Sequence, residues 1–347
     1  MSTLPVTIGR RPQLKLTPFQ ILSYLVLVTA AVLVVVAFID GPKIFAQVIV
    51  VGLSNGALYA LIALGYTMVY GIIELINFAH GDLFMIGSVL SAIFLEERLN
   101  RTSSSPTAWL LLGVVMFSVM ALCAGFNVII ERFAYRRLRN SPKLAPLITA
   151  VGVSFILQNI GIQMNGSAPH SRPGVLPLSS IKIGSIEIRI KYLVVVAVTV
   201  PLLLLMTWIV QKTRVGKAMR ATAQDRDASL LMGINVDKMI AYTFALGGAL
   251  AGAAGTMYVQ VIGQTRYDAG FRLGLIAFTA AVLGGVGNLL GAVIGGVLIG
   301  LIQALNDSGL GLFPGQKWTQ TVLFGILIMM IIFRPGGIFG QHQQEKV

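Results

Sequence analysis

Long apolar stretches separated by short polar segments run through most of the chain. A stretch of about 18 or more apolar residues is long enough to cross a hydrocarbon core roughly 30 Å thick as a helix, which satisfies its own backbone hydrogen bonds. The alternating pattern of a membrane β-barrel is absent. We therefore predict an all-α, polytopic transmembrane helical bundle with about ten spans, in a range of roughly eight to ten. The expected spans are residues 18–39, 44–70, 78–95, 108–131, 144–165, 192–211, 239–262, 273–287, 289–306 and 318–333.

Two parts of this pattern are ambiguous. The pair of spans on either side of Gly287 and Asn288 is also compatible with one re-entrant hairpin, and polar residues interrupt the pattern around 71–82. Basic residues precede the first apolar run, as in a signal peptide, but the run exceeds a normal signal-peptide core and lacks a small-residue cleavage pattern. We expect an uncleaved first span.

Composition and charge agree with a lipid environment. The chain is 56% hydrophobic and 11% charged, whereas a soluble domain carries about 25% charged residues; its mean hydropathy is +0.83. The net charge of +13 would suggest nucleic-acid binding in a soluble protein, but here Lys and Arg lie in short loops between apolar runs. They indicate membrane orientation. We expect a lipid bilayer as a partner and no nucleic acid.

The distribution of basic residues predicts the orientation. With the N-terminus inside, the inner segments hold 16 of the 26 Lys and Arg residues, clustered at 132–143 and 212–238. Both termini are then expected in the cytoplasm. The connection 166–191 is expected outside, where the alternation at 181–190 indicates a small hairpin. The 212–238 segment is charged and contains several alanines, which predicts a short surface helix.

Several chemistries lack the residues they need. The single cysteine, Cys123, lies in an apolar run, so the chain has neither an internal disulfide nor a cysteine cluster for a metal. No phosphate-binding loop of the GxxxxGK[ST] type occurs, because Gly216-Lys217 follows Gln211 where that loop needs glycine. We expect no cofactor on this chain.

Glycine is abundant, with 38 residues, and many lie four positions apart. Small residues at this spacing let helix backbones approach closely in a membrane. For most of them we favour ordinary packing over a functional role. The pattern includes Gly248 and Gly252, Gly287, Gly291 and Gly295, and Gly296 and Gly300.

Four polar residues lie close together near the membrane: Glu74, Asn77, His80 and Asp82. Ionisable groups at membrane depth are costly and usually face a cavity or a partner. A helix would bring the first three to one face, since they are three residues apart. A metal site lacks further ligands. A proton relay, a simple interfacial loop and a polar hinge on a solute path stay open, and we favour the hinge.

The surroundings of this group add two expectations. A break at Gly71 or Gly81 would point helix ends into a cavity. Upstream, Tyr59, Tyr66 and Tyr70 follow Asn55 at a spacing that puts the tyrosines on one helix face. This stripe is equally consistent with packing and with the lining of a pathway.

Specific motifs carry a resemblance to a known family. Residues 52–71 (GLSNGALYALIALGYTMVYG) and 76–82 (INFAHGD) resemble the permeases of branched-chain amino-acid ABC importers of the leucine/isoleucine/valine type and their urea and amide relatives. Residues 216–237 (GKAMRATAQDRDASLLMGINVD) are similar to the cytoplasmic coupling segment of that family, and 333–340 (FRPGGIFG) is also typical. The resemblance covers about 44–340.

The resemblance implies a domain organisation and partners. Residues 1–40 would be an N-terminal extension with an extra span, 41–340 the permease domain, and 341–347 a short cytoplasmic tail. The chain would be no enzyme but the permease of an ATP-driven importer for branched-chain or other aliphatic amino acids in the cell inner membrane. It would work by alternating access with two cytoplasmic ATP-binding subunits, a second homologous permease or second copy, and an external, periplasmic solute-binding protein.

The residue patterns described above, together with the resemblance, suggest residue roles. The substrate pathway would include Asn55, Tyr59, Tyr66, Glu74, Asn77, His80 and Asp82. The ATPase-coupling residues would be Arg220, Ala223, Gln224, Asp225, Asp227 and Gly233. Ala223 and Gly233 match the family's Ala…Gly coupling pattern. A helix on the membrane surface is the alternative, but its acidic residues argue against attraction to an anionic leaflet.

Other functions stay open at this point. A urea or short-chain amide permease is the nearest alternative, because the apolar pathway suits any small uncharged or zwitterionic solute. A stand-alone channel or secondary transporter would need no ATPase. An intramembrane enzyme is less favoured, since Glu74, His80 and Asp82 lack a paired nucleophile.

Overall fold

A computed structural model describes residues 29, 32–75, 77–98, 106–139, 141–142, 144–172, 174–177, 179–184 and 186–340. Within these residues, eight helices are long and apolar enough to cross a membrane, and a ninth apolar helix is shorter. This confirms the polytopic helical bundle, with fewer full-length spans than the expected ten. The expected span at 18–39 lies largely outside the described residues.

The helices, in chain order, are α1 (32–40), α2 (Pro42–Ile73), α3 (Ala79–Arg98), α4 (Pro106–Ile130), α5 (Leu144–Asn165), α6 (Ile190–Lys212), α7 (Arg214–Gln224), α8 (Arg226–Leu231), α9 (Val236–Ile262), α10 (Ala269–Gly284), α11 (Leu289–Ser308) and α12 (Thr319–Phe333). A π-helical turn, Glu131–Tyr135, and the helical residues Arg136–Leu138 extend α4. A 3-10 turn, Gln316–Trp318, precedes α12.

Two small antiparallel pairs of strands accompany the helices: β1 (His170–Ser171) with β4 (Gln264–Thr265), and β2 (Ser180–Ile183) with β3 (Ile186–Arg189). The β2–β3 pair confirms the predicted hairpin, because Ile181 pairs with Ile188 and Lys182 with Glu187. It lies just before α6.

The centre of the bundle is built from α2, α3 and α9, which are mostly buried, whereas little of α12 is buried. Glycines explain the close packing. A Cβ added to Gly56 would lie 2.7 Å from the backbone of Val297 on α11, and one added to Gly252 would lie 2.9 Å from the Val119 carbonyl on α4. Gly287 is the exception among the glycines named above, with φ +91° and no neighbour within 4 Å of an added Cβ.

Helix α2 ends at Ile73 and α3 begins at Ala79, so the expected break at Gly71 or Gly81 is wrong. Glu74 ends α2 in the left-handed region, with φ 55°, and its N–H donates to the Tyr70 carbonyl at 2.8 Å. Gly81 instead lies inside α3, where a Cβ would be 2.9 Å from the Gly274 Cα. The glycine permits contact between helices and does not interrupt the chain.

The region around 287 forms two antiparallel helices joined by residues 285–288. The first of them, α10, has 16 residues, or about 24 Å at 1.5 Å per residue, which is less than a hydrocarbon core. Its first turn packs on the first turn of α3, since a Cβ on Gly270 would lie 2.8 Å from the Asp82 Cα. Only α10 is therefore shorter than a full span, whereas α11, with 20 residues, is long enough to cross the membrane.

The two basic segments lie at one end of the bundle. Arg139, after α4, pairs with Asp237 at the start of α9 at 2.6 Å, and Arg226 of α8 donates to the Ile72 carbonyl at the end of α2 at 2.8 Å. We call this the basic end. The β2–β3 hairpin precedes α6, whose other terminus, Lys212, leads directly into α7 at the basic end. The hairpin therefore marks the opposite end.

Candidate functional site

Asn77, which lies between α2 and α3, is inside the bundle. Asn77 is 2% exposed, its Oδ1 accepts a hydrogen bond from the Tyr135 hydroxyl at 3.0 Å, and its Nδ2 has no hydrogen-bond partner among the described residues. Its carbonyl accepts the His80 N–H at 3.1 Å, which starts α3. Asn77 therefore joins α3 to the π-helical extension of α4, and both N–H donors of its amide have no partner among the described residues.

His80 is fully buried where α2, α3 and α9 meet. Its ring stands edge-on to Tyr66, with centroids 4.7 Å apart, and fills the space beside Gly65 and Gly247. Neither ring nitrogen makes a hydrogen bond of standard geometry to the described residues, although the Ile62 backbone is nearby. A side chain larger than glycine at position 65 would displace this ring.

Asp82 is buried at the middle of the membrane-spanning region. Ser154 donates to one carboxylate oxygen at 2.5 Å and Gln158 to the other at 3.3 Å. Ser154 is ten residues after the start and eleven before the end of α5, so it is about 15 Å from each end. The carboxylate is thus a polar junction between α3 and α5, beside the first turn of α10.

The expectation that Glu74, Asn77 and His80 share one helix face is wrong. Residues 74, 75, 77 and 78 are not helical, and Glu74 is exposed while the other two are buried. Left-handed backbone at Glu74 turns the chain, so the three-residue periodicity is lost. The structure brings together His80 and Tyr66, and separately Asp82, Ser154 and Gln158.

The tyrosines of α2 contact different neighbours. Tyr66 and Tyr70 line one small cavity with Asn77 and Phe278, as their spacing predicts. The volume of this cavity is about 10 Å³, roughly that needed for one water molecule. Tyr59 instead donates to the Gln303 side chain on α11 at 2.5 Å. Asn55, one turn earlier on α2, is half-buried. In this conformation the region beside Asn77 is closed to an amino acid.

The 212–238 segment forms two short helices where one was expected. Thr213 caps α7 by accepting the Gly216 N–H at 3.0 Å. Asp225 ends α7 and caps α8, because its Oδ1 accepts the N–H groups of Asp227 and Ala228, both at 2.9 Å. Side-chain oxygens at this position satisfy the free N–H groups at a helix start. We call 213–235 the coupling segment from here on.

The predicted coupling residues are mostly on the surface of this segment. Gln224, Asp225 and Asp227 are exposed and Ala223 is half-buried. Gly233 has φ 78° and ends the turn after α8, a conformation that favours glycine. Its conformation alone accounts for a glycine there.

An exposed apolar patch on this segment was missed from the sequence. Leu230, Leu231 and Met232 are 58%, 89% and 82% exposed. They form the end of α8 and the following turn, so the capping of α8 by Asp225 decides where they point. Exposed apolar residues in a cluster indicate a binding surface. The hydrophobic periodicity of the sequence could not reveal that these three residues are exposed, because the same apolar residues would equally suit a buried helix face.

The coupling segment is held to the bundle by two arginines. Arg226 donates to the Ile72 carbonyl at 2.8 Å, and Arg220 donates to the Val210 carbonyl. Beneath α7 lies a cavity of about 110 Å³, which we call the α2–α7 cavity. Its lining includes Thr67, Met68, Ile72, Val210, Arg220 and Leu289.

A buried charge network at the basic end was also missed. Glu131 is fully buried in the π-helical turn and pairs with Arg139 and, at 3.4 Å, with Arg136. Both arginines also reach Asp237 on α9, at 2.6 Å from Arg139 and 3.8 Å from Arg136. The only sign of this network in the sequence was that Glu131 precedes the basic cluster at 132–143, which otherwise indicates membrane orientation.

Comparisons with known proteins give a consistent result. A family model described as the permease component of branched-chain amino acid transport systems matches residues 48–332. The high-affinity branched-chain amino acid transport system permease protein LivH of Salmonella typhimurium is 38% identical over 307 residues, which cover 87% of this chain and 98% of LivH. BraD of Pseudomonas aeruginosa, a permease protein of the same description, is 38% identical over 312 residues, 88% of this chain and 100% of BraD. The autoinducer 2 import system permease protein LsrC of Photorhabdus luminescens is 24% identical over 301 residues, 86% of this chain and 84% of LsrC. No solved structure matches the chain.

Proposed function

Since the chain belongs to the family of permease components of branched-chain amino acid transport systems, we propose that it imports branched-chain or other aliphatic amino acids as the permease subunit of an ATP-driven transporter. The coupling segment is the observation that supports an ATP-driven mechanism. It presents Leu230, Leu231 and Met232 on a short capped helix that is anchored to the bundle. Such a patch fits a groove in a cytoplasmic ATPase.

The anchoring suggests how ATPase motion reaches the path. A push on α8 acts on the end of α2 through the hydrogen bond from Arg226 to the Ile72 carbonyl. Helix α2 also carries Tyr66 and Tyr70, which close the cavity beside Asn77. A small tilt of α2 against α3 and α10 would open this region, because packed helices move between discrete arrangements. Alternating access then follows from closure of the ATPase subunits.

The partners and location follow from the same proposal. Two ATP-binding subunits contact the basic end, which faces the cytoplasm together with both termini. A second permease, either a homologue or another copy, completes the membrane unit in the cell inner membrane. An external solute-binding protein delivers the amino acid at the hairpin end. ATP hydrolysis takes place on the separate subunits, and this chain is not an enzyme.

Reconstitution tests this function. The chain, copurified with its native partners and placed in proteoliposomes, should accumulate labelled leucine only with ATP and the binding protein. Excess unlabelled isoleucine should compete and excess urea should not. Leucine uptake without ATPase subunits would identify a channel or secondary transporter, and competition by urea alone would favour the urea or amide alternative.

The role of Asn77 can be separated from its structural contact. Asn77→Leu removes both the hydrogen bond to Tyr135 and the unpaired amide beside the small cavity, whereas Tyr135→Phe removes only the hydrogen bond. We expect Asn77→Leu to lower uptake per assembled complex about tenfold or more, since a polar group of the solute left without its partner in the path costs roughly 1–3 kcal/mol. Tyr135→Phe should keep uptake per complex near wild type.

Uptake and complex yield are measured on the same membranes. A pathway role for Asn77 is contradicted if both variants lower the yield equally and leave uptake per complex unchanged. That result would assign Asn77 to assembly alone.

A further inference from the structure

The connection between α9 and α10 runs back into the bundle alongside α5. At the hairpin end, Thr265 donates to the side-chain oxygen of Asn165, the last residue of α5, at 3.0 Å. About one turn further inside, a Cβ added to Gly161 of α5 would lie 3.8 Å from the Tyr267 Cβ. The chain then reaches Asp82, against which α10 begins. It therefore descends from the hairpin end to the middle of the membrane-spanning region without forming a helix.

We call residues 263–268 the descending segment. Two of its side chains are charged, Arg266 and Asp268, which form an ion pair at 2.6 Å and are 49% and 39% exposed. At membrane depth, non-helical backbone and charged side chains are tolerated where protein buries them or where they border water. Because both charged side chains are partly exposed, the descending segment borders a water-filled cleft that opens at the hairpin end.

Arg272, on the first turn of α10, is exposed at a similar depth. Gly270 and Gly274, two residues before and after it, both contact the first turn of α3. Since successive helical residues turn by about 100°, Arg272 faces away from α3, and its Cα is within about 3 Å of the level of that contact. An exposed arginine at this depth is costly in lipid, so its side chain needs water or a partner.

Tyr258 on α9 connects Arg272 to the cleft. Its hydroxyl lies next to the Arg272 guanidinium, and the Asp268 carboxylate is close enough to act on the same hydroxyl electrostatically. Asp268 is paired with Arg266, however, and Arg272 forms no ion pair with a carboxylate in the part of the chain that the structure describes. The cleft therefore contains a guanidinium that has no anion of its own.

The chemistry of this pair limits the ligand. A guanidinium forms charge-assisted, bidentate hydrogen bonds with a carboxylate, and a neighbouring tyrosine hydroxyl can donate to one of the carboxylate oxygens. A branched-chain amino acid carries such a carboxylate, whereas urea and simple amides have no negative charge. The cleft thus favours an amino acid over urea or an amide.

We propose that this cleft is an outer binding site for the transported amino acid, in which Arg272, beside the Tyr258 hydroxyl, pairs with the α-carboxylate. Resting on the proposed function, the site recognises the group that all α-amino acids share. The solute occupies it after leaving the binding protein and before passing Tyr66 and Tyr70. An amino acid is therefore favoured there over its own carboxamide.

Water access is measured on the complete complex in nanodiscs, where a membrane-impermeant methanethiosulfonate reagent reaches both faces. Cys123 is buried, so a single introduced cysteine gives the signal. Phe271→Cys, at a position that is 51% exposed beside Arg272, should react. The control is Phe117→Cys, at a position that is 64% exposed near the middle of α4. It should react at least about tenfold more slowly, because a thiol in lipid does not ionise.

Protection by ligands then tests Arg272. Leucine should slow the labelling of Phe271→Cys severalfold, whereas leucinamide, which lacks the carboxylate, should not. With Arg272→Gln added, half-maximal protection should need at least about tenfold more leucine, since charge-assisted hydrogen bonds are lost. Arg272→Lys keeps the positive charge and should have a smaller effect.

No labelling at position 271, or equal labelling at position 117, overturns the water-filled cleft. Equal protection by leucine and leucinamide, or protection that Arg272→Gln leaves unchanged, overturns the pairing with the carboxylate. Absence of protection in a complex that takes up leucine overturns the binding site. Failure of ATP-dependent leucine uptake by the wild-type complex would reject the proposed function, and the labelling would still decide whether the cleft exists.

Discussion

Replacing both Leu231 and Met232 by Glu should abolish ATP-dependent uptake while the chain inserts and folds normally. These side chains are 89% and 82% exposed, so their replacement costs the isolated chain little stability. If they enter a groove on an ATPase, two carboxylates there would be desolvated without partners. We expect at least about a hundredfold loss of uptake and loss of the ATPase subunits from the purified complex, since apolar anchors at the centre of an interface contribute about 2 kcal/mol or more each.

The control for this change is Leu312→Glu. Leu312 is 68% exposed in the loop between α11 and α12, at the hairpin end of the bundle. It should keep uptake and ATPase binding near wild type. Retention of the ATPase subunits by the double variant would contradict the docking surface.

Asp225 is less suitable for this test, although its charge and position favour a docking role. Its carboxylate caps α8, so Asp225→Lys would disturb the helix as well as any docking contact. Gly233→Trp has a similar difficulty, because position 233 has a backbone conformation that strains any other residue.

Glu131→Ala should strongly destabilise the chain. Glu131 is fully buried and Arg139 is 12% exposed, so removal of the carboxylate leaves the nearly buried Arg139 with only the half-exposed Asp237 as an anion. Loss of one partner of a buried ion pair costs about 3–5 kcal/mol. The free energy of unfolding, measured by SDS titration of the purified chain in mixed micelles, should fall by that amount.

Asp237→Asn provides the comparison, because it removes another carboxylate from the same network. Asp237 is 53% exposed, and an exposed ion pair contributes about 0–1 kcal/mol. Equal effects of the two substitutions would show that Glu131 does not form the buried centre of the network.

The local features of the fold were predictable from the sequence. Runs of apolar residues located most of the spans, since helix length and hydrocarbon thickness are matched. The alternation at 181–190 predicted the β2–β3 hairpin, and the spacing of glycines such as Gly252 and Gly300 predicted close helix packing. The motifs at 52–82 and 216–237 led to the correct family. All of these depend on residues close together in the chain.

The meeting of distant residues depended on the tertiary structure. Asp82 is 72 residues from Ser154, and Asn77 is 58 from Tyr135, and no periodicity relates such positions. Their contacts exist because α3 packs against α4 and α5; a Cβ on Gly161 of α5 would lie 2.7 Å from the Met85 sulfur on α3. The position where α2 ends likewise reflects packing, since Gly81 is held in a helix against α10 and Glu74 takes the left-handed turn.

The sequence by itself determined the class of the protein, a helical membrane permease, because apolar length, basic loops and family motifs are local properties. Only the tertiary structure decided which polar groups face one another, which apolar residues stay exposed and where a cavity forms. Leu231 has the composition of a core residue and is on the surface, whereas Glu131 has that of a surface residue and is fully buried. The physical reason is that burial depends on which neighbouring helices cover a side chain, and helix packing is a property of the whole bundle.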